Sequence, residues 1–457
     1  DDRCADMSQA TTISPRLFGD MPVAKNASNV TFAIYEQATA YGSLYGMALF
    51  CIVVGSIRSL HFVQRQIQKK KLIEASITIK EAKKFPITAS CVLFGLYIFF
   101  KCDAECRQKI LQFLGGYVPS KLMIRLEKIF SLANSTDLSP VVHNDTATFN
   151  LSKAFAYCNK ANIMYLLLLL ICFEGCVALA TLLKPIFSFV LLRLPIGERQ
   201  PRVNYPYLWS LKKGKKEMDE GTIEDASNDD TEYLVKVEWD THDFVAVLVC
   251  LSVGVSHLMR RHWISNDILG VAFSIYGIEF LHLASFKAGT MLLAGLFIYD
   301  VFWVFATDVM TTVAKGIDAP ILLQFPQDVY RAGWLESNKY AMLGLGDIVI
   351  PGIFIALLRR FDYRIGKKGT STDGRYYFVI TVAAYALGLS LTMIVMHLFK
   401  AAQPALLYLV PACVLIPLSV AKIRGEAAEM WNYCEEHLIE KKDEDKLKEK
   451  EKEKKNK

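Results

Sequence analysis

The chain has 457 residues, of which 53% are hydrophobic, 12% aromatic and 21% charged, and its formal net charge at pH 7 is +6. Its mean hydropathy is +0.26, and the apolar residues are concentrated in long runs. This composition excludes a soluble globular protein and indicates a polytopic membrane protein. The lipid bilayer is therefore an expected partner, and no nucleic acid is expected.

Nine apolar segments are long enough to be membrane-spanning helices, because about 20 residues at 1.5 Å rise cross a hydrocarbon core of about 30 Å. Their length and their lack of alternation favour helices over barrel strands. The sequence thus predicts an all-α membrane protein with about nine transmembrane helices. The segments are 38–57, 85–101, 162–192, 243–259, 267–286, 289–307, 340–358, 376–398 and 404–423.

The distribution of lysine and arginine predicts the direction in which the spans cross the membrane. Basic residues are frequent in 58–71, after the first span, and sparse in 1–37, before it. Cytosolic loops carry the excess of Lys and Arg, so the N-terminus is predicted to be luminal and, after nine crossings, the C-terminus cytosolic. The basic loops 193–216 and 359–368 agree with this assignment, whereas Arg260 and Arg261 oppose it.

Four regions follow from these spans. Residues 1–37 form a luminal N-terminal segment, 38–241 an N-terminal transmembrane part of about three spans, 242–423 a core of about six spans, and 424–457 a charged cytosolic tail. We expect the tail to be a solvated arm from Glu435 onward.

Two extramembrane stretches interrupt the N-terminal part: a luminal insertion at 102–161 and a cytosolic loop at 193–241. The eleven cysteines are an odd number, and the sequence leaves their pairing open. Five glycosylation sequons lie on the predicted luminal side. Their asparagines are Asn26, Asn29, Asn134, Asn144 and Asn150.

Acidic residues inside the spans are the main functional signal. Glu174, Glu279, Asp300 and Asp347 lie within apolar segments, and a carboxylate at the bilayer centre costs about 2.5–3.5 kcal/mol. A salt bridge would explain Asp300 without function, but no basic residue lies deep in any predicted span. We interpret Glu279 as a protonated carboxyl that hydrogen-bonds to a neighbouring span.

Asp300 and Asp347 lie on consecutive predicted spans and can face each other at one depth. Repulsion and desolvation would then make the two carboxyls share one proton. Such a dyad hydrolyses peptides, with one carboxylate as general base on a water and the other as acid toward the carbonyl. Gly344 and Gly346 remove side chains beside Asp347, although glycines also serve simple helix packing.

Three prolines lie in the last apolar segment. Pro404 fits the first turn of a helix, whereas Pro411 and Pro417 are predicted to leave carbonyls unpaired and to distort the helix. Distorted helices at membrane depth are tolerated where the backbone lines a cavity, and a kinked packing helix is the alternative.

Three short motifs together resemble those of a known protein family. Tyr299-Asp300, Gly344-Leu345-Gly346-Asp347 and Pro404-Ala405-Leu406 are similar, in order and spacing, to the YD, GxGD and PAL motifs of the intramembrane aspartyl proteases. Within the presenilin superfamily the chain resembles the signal peptide peptidase family, over 242–423 and more weakly over 38–101. Residues 102–161 depart from the short connection that this family has between its second and third spans.

The resemblance implies a presenilin-like fold with nine spans and a luminal N-terminus. It implies that Asp300 and Asp347 are catalytic and that a set of neighbouring residues shapes the site. This set is Tyr299, Gly344, Leu345, Gly346, Pro404, Ala405 and Leu406.

The resemblance also implies substrates and partners. Substrates would be type II-oriented helices, chiefly signal peptides remaining in the endoplasmic reticulum membrane, which must unwind locally before cleavage. Self-association as a homo-oligomer and contact with the endoplasmic-reticulum-associated degradation machinery are further expectations, with no cofactor and no metal. Lys454 and Lys455 match a dilysine retrieval signal to the endoplasmic reticulum.

Two other functional classes stay open at this point. In a proton- or cation-coupled transporter, Asp300 and Asp347 would relay protons or bind the cation. In a non-catalytic adaptor for protein degradation, neither aspartate would be needed. The absence of an inverted sequence repeat argues against the transporter.

Overall fold

The protein is described by a computed structural model that covers 34–69, 76–101, 160–195, 201–213, 232–306, 320–337, 339–367, 374–399 and 403–435. Over these ranges nine helices contain at least 18 residues, and six of them are long and apolar enough to cross a membrane. The nine are α1 (Ile34–Gln68), α2 (Ile79–Lys101), α3 (Lys160–Leu192), α4 (Thr241–Arg260), α5 (Trp263–Phe280), α6 (Phe286–Ala306), α8 (Gly346–Lys367), α9 (Tyr376–Phe399) and α10 (Leu406–Ile423). The short helices α7 (Val329–Ala332) and α11 (Ala427–Trp431) complete the set.

Three small sheets, which the sequence did not predict, join the ends of helices. The strands are β1 (Ser76–Ile77), β2 (Pro206–Lys213), β3 (Glu232–Asp240), β4 (His282–Leu283), β5 (Leu322–Pro326) and β6 (Tyr340–Gly344). Strand β1 pairs with β4 in parallel, and β2–β3 and β5–β6 are antiparallel pairs. The fold is therefore mostly helical, with short strands outside the long helices.

One predicted span was wrong in its first part. The segment 340–358 begins with β6, whose Gly344 lies opposite Leu322, and helix α8 begins only at Gly346. Glycines are poor helix formers, and pairing with β5 satisfies backbone groups that a helix would otherwise have to satisfy. Asp347 consequently lies in the first turn of α8 and not in the middle of a helix.

The last long helix also differs from the prediction. Helix α10 continues from Leu406 to Ile423 through Pro411 and Pro417 without interruption. Pro404 lies just before the helix instead of in its first turn, and its carbonyl accepts a hydrogen bond from Leu407 N at 3.2 Å. Pro411 and Pro417 are therefore both accommodated within one continuous helix.

Helix α1 lies at the centre of the packing. Its buried residues Ala40, Leu44, Ala48 and Ile52 recur every four positions and form one apolar stripe. This spacing places them on the same face of the helix, and the stripe joins one hydrophobic cluster with residues of α5, α8, α9 and α10. The two aspartate-bearing helices α6 and α8 share a second cluster with α10.

Polar contacts at the helix ends fall into two groups. Near the start of α1, Arg331 donates two hydrogen bonds of 2.8 Å to Glu36. Near its end, Arg58 Nε lies 2.5 Å from Oε2 of Glu279, at the end of α5. The prediction for Glu279 was wrong, because its carboxylate is in an ion pair rather than in a neutral hydrogen bond. Alternate crossing of the predicted spans puts Glu36 and Arg331 at luminal ends, and Arg58 and Glu279 at cytosolic ends. Each pair therefore joins two groups that are predicted to lie on the same side of the membrane.

The beginning of the predicted solvated tail is part of the fold. Tyr433 O accepts a hydrogen bond from Phe286 N at 3.1 Å, and Glu435 N donates one to Ala284 O at 2.7 Å. The buried Arg360 binds the Glu435 carboxylate at 3.0 Å. Glu435 is thus buried, contrary to the prediction, because its charge is paired with a buried arginine of α8.

Several predicted features lie outside the described residues. They are the luminal segment 1–33, nearly all of the insertion 102–161, the acidic part of the loop at 214–231, the five sequons, and Lys454 with Lys455.

Candidate active site

Asp300 is held by the backbone of the third motif. It lies on α6, is 5% exposed, and its Oδ2 accepts a hydrogen bond from Leu406 N at 3.0 Å. Leu406 is the first residue of α10, and the first amides of a helix have no partner within it. The amide of Leu406 is therefore free to bind Asp300. Within the described part of the chain, Asp300 has no salt bridge to a basic side chain.

Asp347 lies on the neighbouring helix α8, which packs with α6 in one hydrophobic cluster. Both helices are held at their other ends by the segment around Tyr433 and Glu435, through the start of α6 and through Arg360 of α8. At 1.5 Å per residue, each aspartate lies about 20 Å along its helix from these contacts. The two aspartates therefore lie about equally far along their helices from this shared attachment.

The glycines of the second motif differ in their surroundings. A Cβ atom at Gly344 would lie 3.3 Å from Oδ2 of Asp347, whereas one at Gly346 would meet no atom within 4 Å. Between them, Leu345 N donates a hydrogen bond to Ile321 O at 3.1 Å, and the Leu345 side chain packs near Gly270 of α5. Gly344 thus gives the carboxyl its space, and Gly346 leaves open space beside it.

Tyr385 on α9 contacts the backbone of Asp347. Its hydroxyl donates a hydrogen bond to the Asp347 carbonyl at 3.2 Å, and its side chain is fully buried. In an α-helix this carbonyl would accept the amide four residues later, but that residue is Pro351, which has no N–H. Tyr385 therefore supplies a donor that the proline withholds. Sequence analysis missed this tyrosine, although a proline four residues after Asp347 was a visible signal.

The remaining motif residues surround the aspartates. Tyr299 is half-buried against the cluster shared by α6 and α8, and its ring centroid lies 6.4 Å from that of Trp303. Pro404 is buried, and Ala405 is the N-cap of α10, whose carbonyl accepts Leu409 N at 3.2 Å. Pro404 and Ala405 thus lead directly into the helix whose first amide binds Asp300.

The chemistry available here is that of two carboxyls. Across the described residues, no group of three or more His, Cys, Asp and Glu side chains could hold a metal ion. Two carboxyls that approach each other can hold one proton between them and exchange it with a water or a carbonyl oxygen. One of the two carboxyls here, that of Asp300, is bound by a backbone amide. The arrangement is suited to general acid–base catalysis.

Comparisons with known proteins agree with the motifs. The family model described as signal peptide peptidase matches residues 68–437. Intramembrane protease 2 of Caenorhabditis elegans is 53% identical over 448 residues, covering 92% of this chain and 95% of that protein. The signal peptide peptidases of Homo sapiens and Mus musculus are 41% and 40% identical over 396 residues, covering 87% of this chain and 83% of each protein.

Proposed function

Because this chain belongs to the signal peptide peptidase family and is an intramembrane protease, we propose that Asp300 and Asp347 are its catalytic dyad. One observation carries the proposal: the Leu406 amide of the third motif binds Asp300 of the first motif at 3.0 Å. The packing of α8, which carries Asp347, with α6 and α10 in one hydrophobic cluster supports it.

The proposed reaction is hydrolysis by an activated water. One carboxylate takes a proton from the water as its oxygen attacks the scissile carbonyl carbon, and the other carboxyl donates its proton to the carbonyl oxygen. The tetrahedral intermediate then collapses, the C–N bond breaks, and a proton passes to the leaving amine. No covalent enzyme intermediate and no cofactor are required.

The Leu406 amide has a positioning role in this proposal. The hydrogen bond from this amide fixes Oδ2 of Asp300 and leaves the other oxygen of that carboxyl for water and substrate. We assign Pro404 and Ala405 to holding this amide, and Tyr299, Leu345, Gly344 and Gly346 to the shape of the site.

We propose signal peptides and other type II-oriented membrane helices as substrates. The names of the mammalian relatives, which are signal peptide peptidases, support the first class. Nine spans, a luminal N-terminus and location in the endoplasmic reticulum membrane belong to the same proposal. The nine long helices of the described residues and the grouping of their polar ends support it. Homo-oligomerisation, association with the degradation machinery and glycosylation of the five asparagines stay predictions.

The test is cleavage of a defined signal peptide by the purified protein in detergent, with mass spectrometry of the products. We expect cleavage inside the apolar segment by the wild type and none by Asp300→Ala or Asp347→Ala. Glu174→Gln is the matched control, because it removes an acid that lies on the exposed surface of α3. Full activity of either aspartate variant would refute the dyad, provided that the thermal unfolding midpoint of each variant shows a folded protein.

The transporter and adaptor interpretations are not favoured, because the relatives that cover most of the chain are proteases by name.

A further inference from the structure

The β2–β3 hairpin carries an aromatic surface on one side. Strand β3 runs directly into α4, and its register with β2 places Tyr207 opposite Trp239 and Trp209 opposite Val237. Directly opposed residues of an antiparallel pair point to the same face. These four side chains therefore form one surface, which we call the aromatic face, and all four are exposed, Trp209 to 61%.

The aromatic face continues onto the exposed apolar side of a candidate membrane helix. The Trp239 ring packs edge-on against the ring of Phe244, in the first turns of α4, with 5.9 Å between the ring centroids. Phe244 begins a stripe of exposed apolar residues along α4, a candidate membrane span. The stripe continues through Leu248, Leu251 and Val255, at helical spacing. The hairpin thus extends the exposed apolar surface of a candidate membrane helix.

The base of the hairpin is fixed to the bundle. Lys184 of α3 donates to Asp240 Oδ2 at 3.0 Å and to Asp243 Oδ2 at 2.8 Å. His242, buried beside them, bonds Ser188 Oγ at 3.0 Å. The hydrogen bond from Lys184 lowers the pKa of Asp240, so the Asp240 carboxyl is ionised at neutral pH. These contacts hold the aromatic face in a set orientation relative to α3 and α4.

The end of α3, near the base of the hairpin, carries another feature that is typical of the membrane–water interface. Arg193, just past the last residue of α3, lies over the Phe189 ring, with 3.9 Å between Cζ and the ring centroid. Arginines at span ends extend their charged groups to the headgroup level while their stems stay on apolar surface. Tryptophan and tyrosine are enriched at the same level, because their rings are apolar with one polar group.

From this continuity we propose that the aromatic face is a membrane-binding surface, inserted at the headgroup–acyl boundary where α3 ends and α4 begins. Its partner is the phospholipid leaflet on that side of the bilayer. The hairpin would then lie along the membrane and not project into water as a free loop. This inference does not depend on the identity of the catalytic residues.

The test uses the fluorescence of Trp209 in full-length protein reconstituted into phosphatidylcholine vesicles. The difference in emission between wild type and Trp209→Phe isolates the contribution of Trp209. We expect phosphatidylcholine brominated near the headgroup end of its chains to remove most of this contribution, and aqueous iodide to remove little. The matched control places a tryptophan on the other face of the hairpin, as Leu208→Trp in the Trp209→Phe background. For this tryptophan, iodide should remove most of the fluorescence and brominated lipid should remove little.

Two outcomes would overturn the proposal. Quenching of Trp209 by iodide and not by brominated lipid would show that the aromatic face is in water. Protection from both quenchers would show that protein covers it, either a second copy of this chain or another partner. Trp209→Phe keeps an aromatic ring at an exposed position, so we expect the variant to fold. Both results can therefore be attributed to the environment of Trp209.

Discussion

Tyr385→Phe is expected to slow peptide cleavage without disturbing the packing of the helices. The variant removes one oxygen atom from a fully buried side chain and keeps the ring that fills the space. It leaves the Asp347 carbonyl without its 3.2 Å hydrogen bond, and Pro351 provides no amide in its place. The first turn of α8, which carries the Asp347 carboxyl, then loses a contact that holds it against α9.

The magnitude follows from the cost of an unpaired buried carbonyl, about 1–3 kcal/mol. We take this cost to apply wholly in the transition state, where the Asp347 carboxyl must be positioned most closely. The rate of cleavage then decreases about 5-fold to 150-fold, since 1.36 kcal/mol is tenfold in rate. We expect the decrease in kcat, with KM little changed, because the hydroxyl binds the protein backbone and not the substrate. Initial rates of cleavage of a fluorescent signal-peptide reporter, measured over a range of substrate concentrations, separate the two constants.

Pro351→Ala provides the matched background for this test. It restores an N–H at the position that pairs with the Asp347 carbonyl in a regular helix, and alanine is the best helix former. In this background Tyr385→Phe should lose most of its effect, so the two changes should be non-additive in a double-mutant cycle. If Tyr385→Phe reduces kcat equally with proline and with alanine at this position, the reasoning is wrong.

Two further predictions concern the same core. Gly344→Ala should reduce kcat, because its Cβ would lie 3.3 Å from Oδ2 of Asp347 and displace that carboxyl. A displacement that costs about 1.4 kcal/mol would reduce kcat about tenfold. The Cβ of Gly346→Ala would meet open space, and the effect of this variant should be confined to KM. Equal effects of the two alanines on kcat would contradict this distinction. Glu435→Gln should destabilise the protein by about 3 kcal/mol, because it leaves the buried Arg360 charge uncompensated. A thermal unfolding midpoint equal to that of the wild type would exclude this role.

The long helices could be predicted from the sequence because each depends on a local property, the length of an apolar run. Residues 162–192 and 376–398, for example, coincide with α3 and α9 within two residues. The two aspartates were visible for the same reason, since a charge inside such a run stands out by itself. Their hydrogen-bond partners depended on contacts between distant parts of the chain and could not be read from one segment.

The errors have a common physical cause. Strand β6 pairs with β5, Glu279 forms an ion pair with Arg58 of α1, and the buried Glu435 forms one with the buried Arg360 of α8. Each of these residues has a local sequence that favours another state. Tertiary contacts override local preference in all three places.

The attachment at Tyr433 and Glu435 has a consequence for biosynthesis. This segment follows both aspartate helices along the chain and joins their ends. Chains are made from the N-terminus. The ends of α6 and α8 therefore receive this attachment only after α9 and α10 have also been made. The two helices that carry Asp300 and Asp347 exist in the growing chain before the contacts that fasten their ends together.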